Sequence, residues 1–408
     1  MEVASWKEKK TLILGITGAI AAYKAADIVR EFVKKEWKVH VMMTEGAESF
    51  VAPLTFSVLS GNKVFLEKDF LSDERGWEIP HITLSGAADV IAIAPCSASM
   101  LHKLAYGDAS SLVSATVLAS QSPVVVFPSM NSNMWDNKAT QKNVEICKDL
   151  GYVVVEPEKG RLACGYEGKG RLPSIGVIVD EILKAACPVK NLLGKKVLVT
   201  AGPTYEYIDP VRYIGNPSSG KMGFAIAREA WYRGADVTVI CGPVAEPYPH
   251  GVDVVPVVSA EEMCEATLAR AEEADIIVKA AAVGDYRVKE KQLQKIKREG
   301  KETLSIELIS NRDIAAELGK RKKKGQIIVG FAAETNEPIE NARKKLKNKN
   351  LDMIVLNDIT APNAGFASDT NSVTLLTPDE TLLEISTSKS IVAEKIWDVI
   401  YERFLCSK

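Results

Sequence analysis

KKVLVTAGPT, residues 195–204, restarts a pattern that TLILGITGA, residues 11–19, opens near the beginning of the chain. Each is an apolar burst of strand length that runs into a glycine-containing turn. Further bursts alternate with helix-length amphipathic stretches, as expected for a mostly parallel sheet covered by helices. In the first half the pattern predicts strands near 12–16, 39–44, 90–94, 124–128 and 152–155, and helices near 19–35, 110–120 and 140–150. After the restart it predicts strands at 236–240, 275–279, 326–331 and 353–356, and helices near 221–233, 260–273 and 339–347. SVTLLTPDETLLEIS, 372–386, alternates about Pro378-Asp379-Glu380 and reads as a hairpin, followed by a helix that Ser388 caps.

At 408 residues the chain exceeds what one core organises, about 250–300 residues. Cys187-Pro188-Val189-Lys190 and Gly194 form a natural linker before the restart, so the expected domains are 1–190 and 191–408. The fold class is α/β, with two doubly wound, mostly parallel sheets in tandem.

The 51 basic and 53 acidic side chains leave a net charge of -2, which calls for neither nucleic acid nor an anionic membrane and makes small molecules the expected partners. Seven scattered cysteines, none in a CxxC pair, argue against a disulfide framework or a zinc ribbon. No apolar run approaches the ~20 residues of a membrane span, and the charged residues 1–10 run straight into a strand. A cytoplasmic protein is the expectation. Arg321-Lys322-Lys323-Lys324 reads as a solvated helix end before Gly325.

GITGA, 15–19, sits where the first strand meets a helix, so its backbone N–H groups can hold a phosphate. Two glycines of the dinucleotide fingerprint are missing, which favours a mononucleotide over NAD; the alternative is a glycine needed only for the turn. GNPSSGKM, 215–222, matches G-x-x-x-x-G-K but has Met222 in place of the magnesium-binding hydroxyl, so a Walker-type NTPase is rejected. The loop remains a polar turn at a helix N-terminus, able to meet phosphate or acyl groups.

Three stretches of the first half are more specific: PHITLS with His81, PSMNSNMW (128–135) and GRLACGYEGKGRL (160–172). Together they resemble the phosphopantothenoylcysteine decarboxylase family of FMN flavoproteins. In the second half, TAGPTYEYIDPVRYIGNPSSGKMG (200–223), KAAAVGDYR (279–287), KIK (295–297), GFAAET (330–335) and SDTNSVTLL (368–376) resemble phosphopantothenate-cysteine ligase. The order of the halves is that of the bifunctional decarboxylase/ligase of coenzyme A biosynthesis. The resemblance implies two Rossmann-like or flavodoxin-like domains, the second coupling 4'-phosphopantothenate to cysteine and the first decarboxylating the product to 4'-phosphopantetheine.

Loss of CO2 from an N-acyl cysteine needs an electron sink that no side chain supplies, so a cofactor is required. The resemblance makes it FMN, with Gly15, Gly18, Ala19, Thr44, Ser97, Ala98 and Ser99 as its contacts. It implies His81 as base or proton relay, Asn131 and Met130 at the substrate, and Cys164 as proton donor on a flap. For the ligase it implies an acyl-nucleotidylate formed from CTP with Mg2+, with Asn216 at the acyl group and Lys295 at the triphosphate. Nucleotide contacts would be Lys279, Ala280, Ala281, Asp285, Asp313, Ile314, Phe331, Lys345 and Lys349; the metal ligands are not assigned. The chain departs from the family at APCSAS (94–99), at Arg312 in NRDIA and at Gly284. The family further implies a homo-oligomer, with trimeric decarboxylase and dimeric ligase contacts. Two other readings compete: a flavin-dependent decarboxylase or prenyl-transfer relative whose second half only binds nucleotide, and a non-catalytic flavin-binding regulator.

Overall fold

The computed structural model describes residues 5–70, 79–161, 165, 167–297, 303–333, 337–357 and 368–406. Contacts divide the chain into two compact units, Met1–Pro188 and Val189–Lys408.

The first unit is built on β1 (Thr11–Ile16), β2 (Lys38–Met43), β3 (Val64–Leu66), β4 (Val90–Cys96), β5 (Val124–Pro128) and β6 (Val153–Val154). They lie in the order β3-β2-β1-β4-β5-β6, every pair parallel. Sandwiching by helices explains why β4 is apolar and buried along its whole length. On one face pack α4 (Pro80–Ala87), α5 (Ala98–Tyr106), α6 (Leu112–Leu118), α7 (Ser132–Trp135) and α8 (Lys138–Asp149), sharing a core with Ile13, Ile91, Ile93 and Val126. Elsewhere on the sheet α1 (Ala25–Lys34) meets α3 (Pro53–Ser60) and α9 (Ile175–Ala186). Helix α1 buries Ala25, Ile28, Val29 and Phe32, an i, i+3, i+4, i+7 stripe. Between β2 and α3 lies the single turn α2 (Glu45–Glu48).

Two readings need correction here. The helix expected over 19–35 is a 3-10 turn, Ile20–Lys24, followed by α1, and the strand expected over 152–155 shrinks to two residues. A hairpin of β7 (Glu158–Arg161) and β8 (Glu167–Arg171) escaped the sequence reading altogether.

The second unit repeats the plan with β9 (Lys196–Ala201), β12 (Asp236–Cys241), β13 (Asp253–Pro256), β14 (Ile276–Lys279), β17 (Ile327–Ala333) and β18 (Met353–Asn357). Small hairpins intervene: β10 (Tyr205–Tyr207) with β11 (Tyr213–Gly215), and β15 (Tyr286–Val288) with β16 (Leu308–Ser310). The sheet order is β13-β12-β9-β14-β17-β18, all parallel, extended by antiparallel β19 (Thr370–Leu376) and β20 (Thr381–Ser388). Helices α11 (Ala260–Ala271), α12 (Ile314–Arg321) and α13 (Pro338–Asn348) share one core, whereas α10 (Lys221–Tyr232) packs with α14 (Lys389–Ile400). Ser388 caps α14, its Oγ accepting from Ile391 N at 3.4 Å. Lys322 is not simply solvated: it is mostly buried and pairs with Asp352 at 2.6 Å.

Both sheets therefore read 3-2-1-4-5-6 in their parallel part. In such sheets the chain leaves the first and fourth strands in opposite directions, opening a crevice at their carboxyl ends where ligands bind.

Candidate active sites at the two switch points

In the first unit the crevice lies where β1 and β4 end. Thr17 ties the two turns together: its N–H and Oγ1 donate to the Pro95 carbonyl at 3.2 and 2.8 Å, and Oγ1 accepts from Ser97 N at 2.7 Å. Thr17 is 1% exposed, and the sequence reading missed it. Ser97 caps α5 through Met100 N, so the helix starts at the crevice. PSMNSNMW supplies the far wall, docked against the hairpin β7–β8. Met130 N donates to the Gly170 carbonyl at 3.1 Å, and a Cβ at Gly170 would lie 2.2 Å from the Met130 oxygen, so only glycine fits. Asn131 starts α7, its Oδ1 accepting from Asn133 N at 2.8 Å.

These turns enclose a cavity of about 720 Å³ lined, among the expected residues, by Gly18, Ala19, Ser97, Ala98, Met130 and Asn131. Tyr23, Phe50 and Met134 add apolar surface, while Lys24, Arg161 and Arg171 add positive charge. No carboxylate is among the described lining residues. Glycine and alanine at the strand ends, apolar walls and cations fit a flat ring system carrying a phosphate.

Four expected residues do not line this cavity. Gly15 is buried within β1, where a Cβ would lie 2.7 Å from Ile93 and 2.9 Å from Val113; its glycine answers to core packing, not to a ligand. Thr44 caps α2 through Ala47 N at 3.3 Å, and Ser99 faces outward on α5. His81 sits on α4, edge-on to Phe70 with ring centroids 5.3 Å apart, its Nδ1 buried without a partner among the described residues. Cys164 lies outside the described residues, in the stretch linking β7 to β8.

The second crevice is laced more tightly. Thr200 O and Oγ1 accept from Ala280 N and Ala281 N, each at 3.2 Å, and Gly202 O accepts from Ala282 N at 2.9 Å. Thr204 Oγ1 accepts from Gly284 N at 2.9 Å, and Asn216 Nδ2 donates to Val283 O at 3.0 Å. TAGPT, GNPSSGKM and KAAAVGD thus fold onto one another around a cavity of about 400 Å³. Gly220, at φ +78°, turns the chain into α10 without a side-chain cap, leaving the helix N-terminus at the cavity wall.

Asn216, Lys279, Ala280, Ala281 and Asp285 line it together with Phe331, Lys345 and Lys349. Lys221, Asn357, Asn371 and Lys389 also line it, and the sequence reading did not single them out. Burial pushes the Lys279 amine below its usual range; Asp313 and Asp285 oppose this, whereas Lys349 and Lys345 reinforce it. Burial alone would raise the Asp313 carboxyl, but the Lys349 bond at 2.7 Å and the Ala316 N–H outweigh it and hold it low.

Here too the expectations need correction. Asp313 does not line the cavity; it caps α12 and anchors Lys349. Ile314 is a core side chain, 1% exposed. Lys295 is exposed on a loop tied to the β10–β11 hairpin by Ile296 N and O, which meet Asp209 and Arg212 at 3.2 and 3.3 Å, and it lies outside the cavity lining. Arg312 pairs with Glu261 at 3.1 Å, on the surface. No cluster of three or more potential metal ligands exists among the described residues, and no helix among them is long and apolar enough to cross a membrane.

Comparison with known proteins agrees with this division. The flavoprotein family model matches residues 1–186, and the DNA/pantothenate metabolism flavoprotein C-terminal domain matches residues 192–404. The coenzyme A biosynthesis bifunctional protein CoaBC of Bacillus subtilis (strain 168) is 43% identical over 373 residues, 91% of each chain. That of Escherichia coli (strain K12) is 40% identical over 397 residues, 97% of each chain. A solved C-terminal domain of a CoaBC protein is 41% identical, with a TM-score of 0.45, covering 52% of this chain and 97% of that one. With both halves matched in order over nearly the whole length, the chain belongs to the CoaBC family of bifunctional coenzyme A biosynthesis enzymes.

Proposed function

We propose that residues 191–408 join 4'-phosphopantothenate to cysteine with CTP and Mg2+, and that residues 1–190 decarboxylate the product to 4'-phosphopantetheine with FMN. The observation that carries this reading is the coincidence of motif and topology: GITGA, PSMNSNMW and GRLACGYEGKGRL supply lining residues to the cavity at the first switch point, and GNPSSGKM, KAAAVGDYR, GFAAET and SDTNSVTLL to that at the second, whereas PHITLS and KIK lie outside them.

In the ligase, a carboxylate is inert to an amine until it is activated. The substrate carboxylate attacks the α-phosphorus, the bond to the β-phosphate breaks, and pyrophosphate leaves with the electron pair. The cysteine amine then attacks the acyl carbon, loses a proton and expels the nucleoside monophosphate. Asn216, fixed by Val283 O, positions the acyl group, and the N-terminus of α10 faces the phosphates. Lys345 and the Asp313-anchored Lys349 offset charge on the nucleotide beside Phe331. A magnesium ion carried mainly by phosphate oxygens needs one or two protein carboxylates, and Asp285 at the cavity fits that role.

In the decarboxylase, FMN supplies a reversible acceptor for the hydride of the thiol-bearing carbon, which turns that carbon into an electron sink for CO2 loss. Gly18, Ala19, Ser97 and Ala98, which line the cavity, would hold it. Asn131 gives the substrate carboxylate a neutral amide donor, which avoids stabilising a charge that must vanish. Cys164 returns a proton to the enethiolate. The FMN site is completed by a neighbouring subunit, as the resemblance implies, with His81 as base or proton relay, and Lys295 meets the triphosphate from its exposed loop. The assembly is accordingly a homo-oligomer with trimeric decarboxylase and dimeric ligase contacts, working in the cytoplasm.

The test is mass spectrometry of protein incubated with 4'-phosphopantothenate, cysteine, Mg2+ and CTP or ATP. Wild type should reach 4'-phosphopantetheine, Cys164→Ala should stop after ligation, and Asn216→Ala before it. No coupling with either nucleotide would sink the ligase assignment, and a monomer by light scattering would refute the shared sites.

A further inference from the structure

Lys389 opens α14 yet is only 7% exposed, and it lines the second unit's cavity. A lysine at a helix N-terminus is doubly unfavourable, because the helix dipole and the loss of hydration both act against its charge. Its Nζ donates to the Ser368 carbonyl. Lys221, in the first turn of α10, lines the same wall and pairs with Asp369 at 2.7 Å and Glu246 at 3.5 Å. Asn371 lines the same cavity; it is 4% exposed, its Oδ1 has no partner among the described residues and its Nδ2 meets the Met222 sulfur at 3.7 Å. Two cations, an uncapped helix start and an under-satisfied buried amide therefore occupy one side of the cavity. Lys345 and Lys349 reach it from α13, a helix of the other packing layer.

We propose that Lys389, with Lys221, seats the β- and γ-phosphates of the nucleotide and the pyrophosphate that leaves. This rests on the ligase reading above. In the in-line displacement the carboxylate oxygen and the bridging oxygen to the β-phosphate occupy opposite sides of the α-phosphorus. The leaving group takes the electron pair of the broken bond, and its charge grows where a buried ammonium is worth most. Lys221 follows Asn216 by five residues on the same turn, which puts the acyl-binding amide and the start of this cationic wall on one continuous segment. Lys389 then acts on pyrophosphate departure and Asn216 on the acyl group. Among the described residues, the charged groups that face Lys221 are Asp369 and Glu246, and those that face Lys389 are Lys221 and Asp369.

The experiment uses the full chain as wild type, Lys389→Met, Lys389→Arg and Lys221→Gln. It measures the KM for CTP and for 4'-phosphopantothenate, inhibition by inorganic pyrophosphate, calorimetric binding of pyrophosphate with Mg2+, and decarboxylation of supplied 4'-phosphopantothenoylcysteine. Lys389→Met should raise the CTP KM and the pyrophosphate Ki tenfold or more, leaving the 4'-phosphopantothenate KM and decarboxylation unchanged. Lys389→Arg should restore part of both, and Lys221→Gln should show the same pattern more weakly. Values within twofold of wild type in stably folded Lys389→Met would overturn the proposal. So would a rise confined to the 4'-phosphopantothenate KM, which would place that substrate's own phosphate here. If Lys389→Met fails to fold, an unchanged pyrophosphate affinity in Lys221→Gln overturns it equally. Pyrophosphate binding by a wild type that turns over no nucleotide would break the ligase reading and leave the anion seat standing.

Discussion

The two crevices share one topology and almost nothing else. Each opens between the first and fourth strands of a 3-2-1-4-5-6 sheet and is crossed by hydrogen bonds from a threonine, Thr17 in one and Thr200 in the other. The first is the larger and is walled by Tyr23, Phe50, Met130 and Met134; the second is smaller and carries five lysines, at 221, 279, 345, 349 and 389. Topology thus decides where a ligand binds, and side chains decide which ligand. A flat cofactor needs apolar area and close backbone approach, whereas a polyphosphate needs positive charge held where water is scarce.

The contrast is most strongly tested by substitutions that silence one half alone. Asn216→Ala should lower ligation on the order of a hundredfold, the usual cost of removing a positioned donor, with decarboxylation of supplied intermediate unchanged in a coupled assay. Gly170→Ala forces a Cβ into the Met130 carbonyl and should cut decarboxylation about tenfold by displacing the hairpin from PSMNSNMW, sparing ligation. Asp313→Asn keeps the cap of α12 but removes the charge that anchors Lys349; the CTP KM should rise about threefold to tenfold, within the range for one partly buried pair. A loss of decarboxylase activity in that variant would contradict the independence of the crevices.

The smallest effect concerns thiols that the two units bury alike. Burial pushes Cys147 and Cys241 up to about 11, so between their unfolded value near 9 and that figure the folded state holds protons the unfolded state has released. Stability should therefore fall as pH rises from about 9 to about 11. Cys241→Ala should flatten that slope in thermal melts of the second unit, and Cys147→Ala in those of the first. Equal slopes in wild type and both variants would show that other groups dominate.

Strand and helix order was legible because burial on both faces leaves continuous apolar runs such as VIAIAPC, and one-sided burial leaves the stripe of α1. The hairpins β7–β8 and β10–β11 were not, since they are short, polar and rich in glycine or tyrosine, and periodicity reports only burial. The motifs marked the cavity linings well at Gly18, Asn131, Asn216 and Lys349. They misplaced Gly15 and Ile314, because a residue that packs the floor beneath a site carries the same motif as one that touches a ligand. Thr17, Asn371 and Lys389 went unread: their positions depend on long-range pairings, Lys389 with Ser368 and Thr17 with Pro95, that no local pattern encodes.

The antiparallel hairpin β19–β20 bears on synthesis. Until the ribosome has made it, β18 is an uncovered sheet edge, and the cavity below it lacks Asn371 and Lys389. At about 5–20 residues per second, the nascent chain spends several seconds between the exit of Phe331 and that of Lys389. During that interval the first unit is already complete, while the second presents an open strand to its neighbours on a polysome, where edges pair with edges. A stalled or truncated product ending before residue 370 should accordingly be the aggregation-prone species, and the last strands act as its seal.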